Sequence, residues 1–227
     1  MRAVITGILA VILAISISSC GHGSATQKAR EDYPSHWWSK VNKKDAKWWE
    51  VLPAEAGEGE VILSKRNELG LLSNFAHTPF TFEGAQYQSV EGLWQSMKFP
   101  ENKDDPRYKS PAHAWGHSRE QVQVMVGFKA KKAGDIGSKN MQGKGINWVT
   151  YKGDRMTYRT PQKGKHYQLI RKIMLAKVEQ NQKVRDVLLA TDGLILRADH
   201  QQKKNSPPAW LYNKIWMEIR SDLKKGL

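Results

Sequence analysis

Among its 227 residues the chain has a single cysteine, Cys20. No disulfide can form within it, so the fold must rest on a packed core and not on covalent staples. The material for a core is present: 40% of the residues are hydrophobic and nine are tryptophan. This length suits one domain with extensions.

The position of the cysteine carries further information. "MRAVITGILAVILAISISSCGHGS" opens with Arg2, runs apolar from Ile8 to Ile17 and reaches the small residues Ser18 and Ser19. That is the layout of a secretory signal peptide over residues 1–19, too short for a spanning helix with proper flanks. "ISSC" at 17–20 resembles a bacterial lipobox, which would make Cys20 the lipidated first residue of the mature chain. The alternatives are an uncleaved anchor or a free thiol. With Gly21 after the cysteine, where a retention signal would place Asp, the expected location is the cell envelope. In a cell with two membranes this means the periplasmic face of the outer membrane. The lipid bilayer is then one expected partner, held through Cys20.

Residues 20–57 read as a polar tether ending in "PAEAGEGE". Two tryptophan pairs interrupt it, in "WWSKV" (37–41) and "WWEVL" (48–52), eleven residues apart. That is about three helical turns, so both pairs can share one face of a Trp-rich helix. Such a face would pack on the domain or lie at a membrane interface.

Residues 58–227 have the composition of a folded domain. "EVIL" (60–63) is a short strand candidate, and "PFTFEGAQYQS" (79–89) reads as a hairpin turning at Glu83-Gly84. Helices are expected over 89–99, 118–137 with Ser118 as cap, 165–181, 182–191, and 206–225 after a proline start. The glycine-rich "GDIGSKNMQGKGINW" (134–148) matches no phosphate-binding fingerprint and reads as a flexible loop. The fold class is α+β: a mostly helical single domain with a small antiparallel sheet.

A formal charge of +14, from 36 Lys and Arg against 22 Asp and Glu, favours anionic partners. The excess is spread along the chain, with no dense block that reads as a nucleic-acid arm. No HExxH occurs, and the two His of "HAWGH" (113–117) sit beside a Gly and near a Pro that disfavour a helix, so no metal is expected. The GxSxG of serine hydrolases is absent.

What remains is "SVEGLWQSMKFPE" (89–101). Val90, Leu93, Trp94 and Met97 form the apolar stripe of a helix. Glu91, Gln95 and Lys98 form a polar line at i, i+4, i+7 along its edge. Taken alone, such a line is most simply a solvated charged face. Its context is distinctive: "GLLSNF" (70–75) precedes the hairpin and the hairpin leads into this helix.

Ser73-Asn74-Phe75, Pro79-Phe80, Tyr87, Glu91, Gln95 and Lys98-Phe99 together resemble the start of a NADAR (YbiA-like) domain. "NW" (147–148), "AKVEQNQKVRDVLLAT" (176–191) and "IWMEIR" (215–220) resemble its middle and closing helix, so the resemblance runs from about Val61 to Leu223. It implies an N-glycosidase that cleaves a phosphoribosyl or ADP-ribosyl compound without a cofactor. Nucleic acid would be a partner only as an ADP-ribosylated substrate. By the resemblance, Glu91 and Asp199 are the catalytic acids and Trp148 stacks on the leaving base. Asn74 and Gln95 would bind ribose, and Lys98 and Lys152, or Arg119, the phosphate. The chain departs from the pattern in having Gly92 where a His is usual, in lacking the "WG" pair after the aspartate, and in opening with the layout of an export signal. The alternative is a non-catalytic nucleotide-binding lipoprotein of the envelope, and a third reading is a structural lipoprotein whose basic face meets anionic lipid.

Overall fold

The computed structural model describes residues 30–109 and 115–226. The expected signal peptide, Cys20 and His113 lie outside the described residues.

The hairpin forms where expected. β2 (Phe80–Phe82) pairs antiparallel with β3 (Ala85–Tyr87), in register Phe80 to Tyr87. Its two turn residues, Glu83 and Gly84, have φ of 47° and 86°, both positive as the tightest hairpin turn requires. α1 (Val90–Ser96) follows at once, capped by Ser89, whose hydroxyl accepts from the Gly92 N–H at 3.0 Å. Val90, Leu93 and Met97 are wholly buried.

The helix expected over 118–137 is two helices. α2 (Arg119–Gln123) starts on a Ser118–Gln121 capping box and stops at Val124. Val126 is extended (φ −128°, ψ 156°), and α3 (Gly127–Gly143) starts afresh after it. α3 then runs through most of the glycine-rich stretch read as a loop, which corrects that expectation. Two of its glycines serve packing: Ala130, Ala133, Gly134, Gly137 and Met141 are the buried face, and Gly134 and Gly137 let α3 lie close against α1.

β4 (Trp148–Tyr151) and β5 (Asp154–Thr157) form a second antiparallel ladder. α4 (Lys165–Gln180) and α5 (Gln182–Ala190) follow, then β6 (Ile195–Arg197) and α6 (Tyr212–Lys224), which starts after a 3-10 turn at Pro208–Trp210. β6 returns to pair in parallel with β1 (Glu60–Ile62). The architecture is α+β and mostly helical, as expected, but among the described residues the small sheet is three separate two-stranded ladders and one of them is parallel.

The single Trp-rich helix expected here is not what the structure has over residues 30–57. This segment lies on the domain as short 3-10 turns, Ser35–Trp38 among them. Trp37 is 1% exposed and donates its indole N–H to Glu68 at 2.6 Å, and Trp38 donates to the Glu60 carbonyl at 2.9 Å. The second pair is differently placed: Trp49 is half-buried and Trp48 is 96% exposed. Among the described residues no helix is long and apolar enough to cross a membrane.

Candidate functional site

α1 places Glu91, Gln95 and Lys98 in one line, and tertiary packing buries the line instead of leaving it in solvent. The three residues are 6%, 7% and 3% exposed. Gln95 donates its amide to the Glu91 carboxylate at 2.6 Å. The Lys98 ammonium reaches α3, donating to the Ser138 hydroxyl at 2.8 Å and the Gly134 carbonyl at 3.2 Å, and lies 5.1 Å from the Tyr158 ring centre.

Burial dominates the electrostatics. It pushes the Glu91 carboxyl above the usual carboxylate range, with the Gln95 hydrogen bond and the Lys98 charge opposing it. Burial also lowers Lys98 to about 8, against the pull of Glu91. The line is therefore an acid on α1 and a base in the turn just past its end, whose charged forms are both disfavoured. Beside it His166 is 2% exposed, edge-on to both Trp94 and Tyr158, with neither ring nitrogen hydrogen-bonded. Burial first, and the Lys98 charge second, lower its pKa to about 4, so the ring is neutral at physiological pH.

Asn74 meets α1 through its backbone: its carbonyl accepts from the Glu91 N–H at 2.9 Å. Its side-chain oxygen and that of Gln95 are both buried with no hydrogen-bond donor. Two orphaned acceptors on the residues flanking a buried acid are a cost that a ligand hydroxyl would relieve. The loop carrying Asn74 is held from below, since Lys177, fully buried on α4, donates to the Ser73 carbonyl at 2.8 Å and Trp216 donates to the Leu72 carbonyl at 2.6 Å.

Asp199 forms a second centre, at the end of β6. It is 2% exposed and paired with the Lys65 ammonium, with His200 Nδ1 at 3.1 Å and the Tyr212 hydroxyl at 3.4 Å. Burial works to raise its pKa, and His200 and Lys65 more than offset this, leaving it below the usual carboxylate range. No contact joins Asp199 to Glu91. The two centres are bridged by the Asn74-Phe75 segment, because Lys65 Nζ also lies 5.3 Å from the Phe75 ring centre.

Two expected residues stand elsewhere. Trp148 has the guanidinium groups of Arg107 and Arg155 over its ring, at 4.7 and 4.3 Å, and so is engaged away from the Glu91–Gln95 pair. Lys152 is exposed and spends its ammonium on Glu83 of the hairpin turn, at 3.0 Å from the carbonyl and 3.1 Å from the carboxylate. Arg119 is likewise committed, to the Phe99 and Thr150 carbonyls at 3.0 and 2.6 Å. Tyr158, Ser138, His166 and Lys65 were not foreseen. Lys177 carried a signal, since it falls on the apolar stripe of Ile170, Ile173 and Met174.

Gly92, where the resemblance wants a histidine, faces the end of α2. A Cβ there would lie 2.3 Å from the Met125 carbonyl oxygen and 2.8 Å from that of Gln123. A cleft of about 590 Å³ opens beyond the far end of α1, lined by Glu101, Tyr108, Trp115 and Arg119 among others, and Glu91 does not line it. Among the described residues no group of three or more His, Cys, Asp or Glu side chains gathers in a way that could hold a metal.

No protein-family model matches the chain, and no curated protein matches it. The NMR structure of the E. coli protein YbiA is similar to it over 75% of this chain and 89% of that chain, at 20% sequence identity and a TM-score of 0.46.

Proposed function

We propose that the chain is an N-glycosidase acting on a phosphoribosyl or ADP-ribosyl compound, with Glu91 as the catalytic acid group. The observation that carries this reading is the buried Glu91–Gln95 pair with the unpartnered acceptors of Gln95 and Asn74 beside it. N-glycoside cleavage develops positive charge on the sugar, which a desolvated carboxylate stabilises while it orients the attacking water. The orphaned amide oxygens suit ribose hydroxyls. Lys98 is the nearest cation for a phosphate. Asp199, already neutralised by Lys65, serves as a binding or positioning group, and the commitments of Trp148 and Lys152 leave them outside the proposal.

One observation favours the second reading, a nucleotide-ribose binder without turnover: Glu91 is almost wholly buried and the open cleft does not reach it. The test incubates the protein with ADP-ribosylated bases, NAD and aminopyrimidine ribose phosphates and assays released base. The expected result is release that Glu91→Gln lowers by about 10²–10⁴-fold. Saturable binding with no release supports the binder, and neither result overturns both readings. Anchoring of the mature chain through a lipidated Cys20 is part of the proposal. Fatty-acid-analogue labelling that vanishes in Cys20→Ala is the expected result.

A further inference from the structure

The outer face of α3 and the 47–50 turn carry a surface that the catalytic reading does not use. Trp48 is 96% exposed, the largest exposure of any large hydrophobic side chain among the described residues. The turn that presents it is firmly built. The Glu50 N–H donates to the Lys47 carbonyl at 3.0 Å, and the Lys47 N–H returns to the Glu50 carboxylate at 3.2 Å. Arg66 then holds both Glu50 oxygens, at 2.6 and 2.7 Å. The next residue, Trp49, turns inward onto Phe128, with ring centres 5.7 Å apart. This contact sets the Trp48 turn beside the start of α3.

On α3, Phe128, Lys132 and Ile136 follow one another at i, i+4, i+8. Phe128 is 52% exposed and Ile136 38%, and Val124, just before the helix, is 52% exposed. Lys129 and Lys132 flank them, and Lys43, Lys44 and Lys47 flank Trp48. All five lysines are exposed, and no ion pair among the described residues engages them. Against them stand Asp45 and Asp135, and the latter is held by Lys131 at 2.6 Å. The combination is a projecting indole and a half-exposed phenyl ring, the latter braced by Trp49 and by Phe75 at 5.1 Å, on a basic face of a rigid scaffold. A strongly charged face with apolar anchors of this kind fits the headgroup boundary of an anionic bilayer, where rings enter the interface and ammonium groups meet lipid phosphates.

We propose that Trp48, Val124, Phe128 and Ile136, with the lysines around them, form a docking surface for anionic lipid. Docking of this kind acts without Cys20. It would lay α3 along the membrane, with the opposite face of the helix, which packs on Gln95 and Lys98, turned away from it.

The test protein is the chain from Arg30 onward, used once a cooperative thermal transition has shown that it folds. It lacks both the apolar leader and Cys20. Cosedimentation is measured with vesicles of phosphatidylcholine alone and with phosphatidylglycerol mixed in. The expected result is binding to the phosphatidylglycerol vesicles only, weakened by salt. Trp48→Ala/Phe128→Ala should lower it at least tenfold, and so should Lys129→Glu/Lys132→Glu. Ile195→Ala, an equally exposed side chain on β6, should leave it unchanged. Thermal unfolding of each variant separates loss of the surface from loss of the fold. Binding that ignores these variants overturns the proposal, as does binding to neither vesicle. Self-association abolished by Trp48→Ala, or preferential capture of a single-stranded oligonucleotide, would assign the surface to another partner and overturn it too.

Discussion

Gly134 and Gln95 occupy the same space between α1 and α3: a Cβ at position 134 would lie 1.7 Å from Gln95 Oε1 and 2.2 Å from its Cδ. The only room for the amide that holds Glu91 exists because residue 134 has no side chain. Gly134→Ala is expected to destabilise the protein by about 1–3 kcal/mol, the usual range for an overpacked core. Adding Gln95→Ala should recover most of that loss without restoring activity. Urea unfolding of the two variants checks the first part, and a double variant no more stable than Gly134→Ala alone would refute the account.

Lys177 gives the fold a pH dependence above neutrality. Burial lowers its pKa from 10.5 to about 7 in the folded chain. Below about pH 7 both states hold the proton and the burial penalty is fully present. Above it the unfolded state binds a proton that the native state does not, so stability rises with pH, by up to about 1.4 kcal/mol per unit for this one group. Lys98, lowered to about 8, acts in the same direction, while Glu91, raised, acts in the opposite one. In Lys177→Met the Ser73 carbonyl keeps its bond from the Ala76 N–H at 3.2 Å. The variant is therefore expected to equal or exceed the parent in stability at pH 7. The difference between the two should shrink or reverse by pH 9, as measured by denaturant midpoints at each pH.

Arg107 is completely buried and depends on Asp105, which accepts from its Nε at 3.0 Å and its Nη2 at 2.7 Å. The same guanidinium donates to the Met97 carbonyl at 2.9 Å and to Thr150, tying the end of α1 to β4. Asp105→Asn leaves this cation buried without its counter-charge, and a loss of about 3–5 kcal/mol is expected. Arg107→Met/Asp105→Leu, which removes both charges, should cost less. Thermal melts of the two variants decide the matter.

The parts legible in the sequence are those with local causes. α1 and its Glu91–Gln95–Lys98 line follow from spacing within eight residues, and the hairpin follows from Glu83-Gly84. What was not legible depends on contacts across the chain. Lys65 meets Asp199 from 134 residues away, and β1 pairs with β6 across a similar span. The glycines of α3 looked like a loop because their role, letting α1 approach, is visible only when α1 is in place. Burial of the line itself is a tertiary fact too, since the same pattern on a lone helix would be solvated. Trp37 and Trp48 lie in similar "WW" contexts, yet one is core and the other projects into water, a difference that no local pattern encodes.

Position 92 shows how one backbone contact limits what this chain can be turned into. With the Met125 and Gln123 carbonyl oxygens standing where a β-carbon would go, the site admits no imidazole unless the chain around α2 withdraws from α1. Grafting a histidine there would reshape the helix pair before it added a functional group. The glycine and the short helix beside it therefore act as one packing unit, to be exchanged together or not at all.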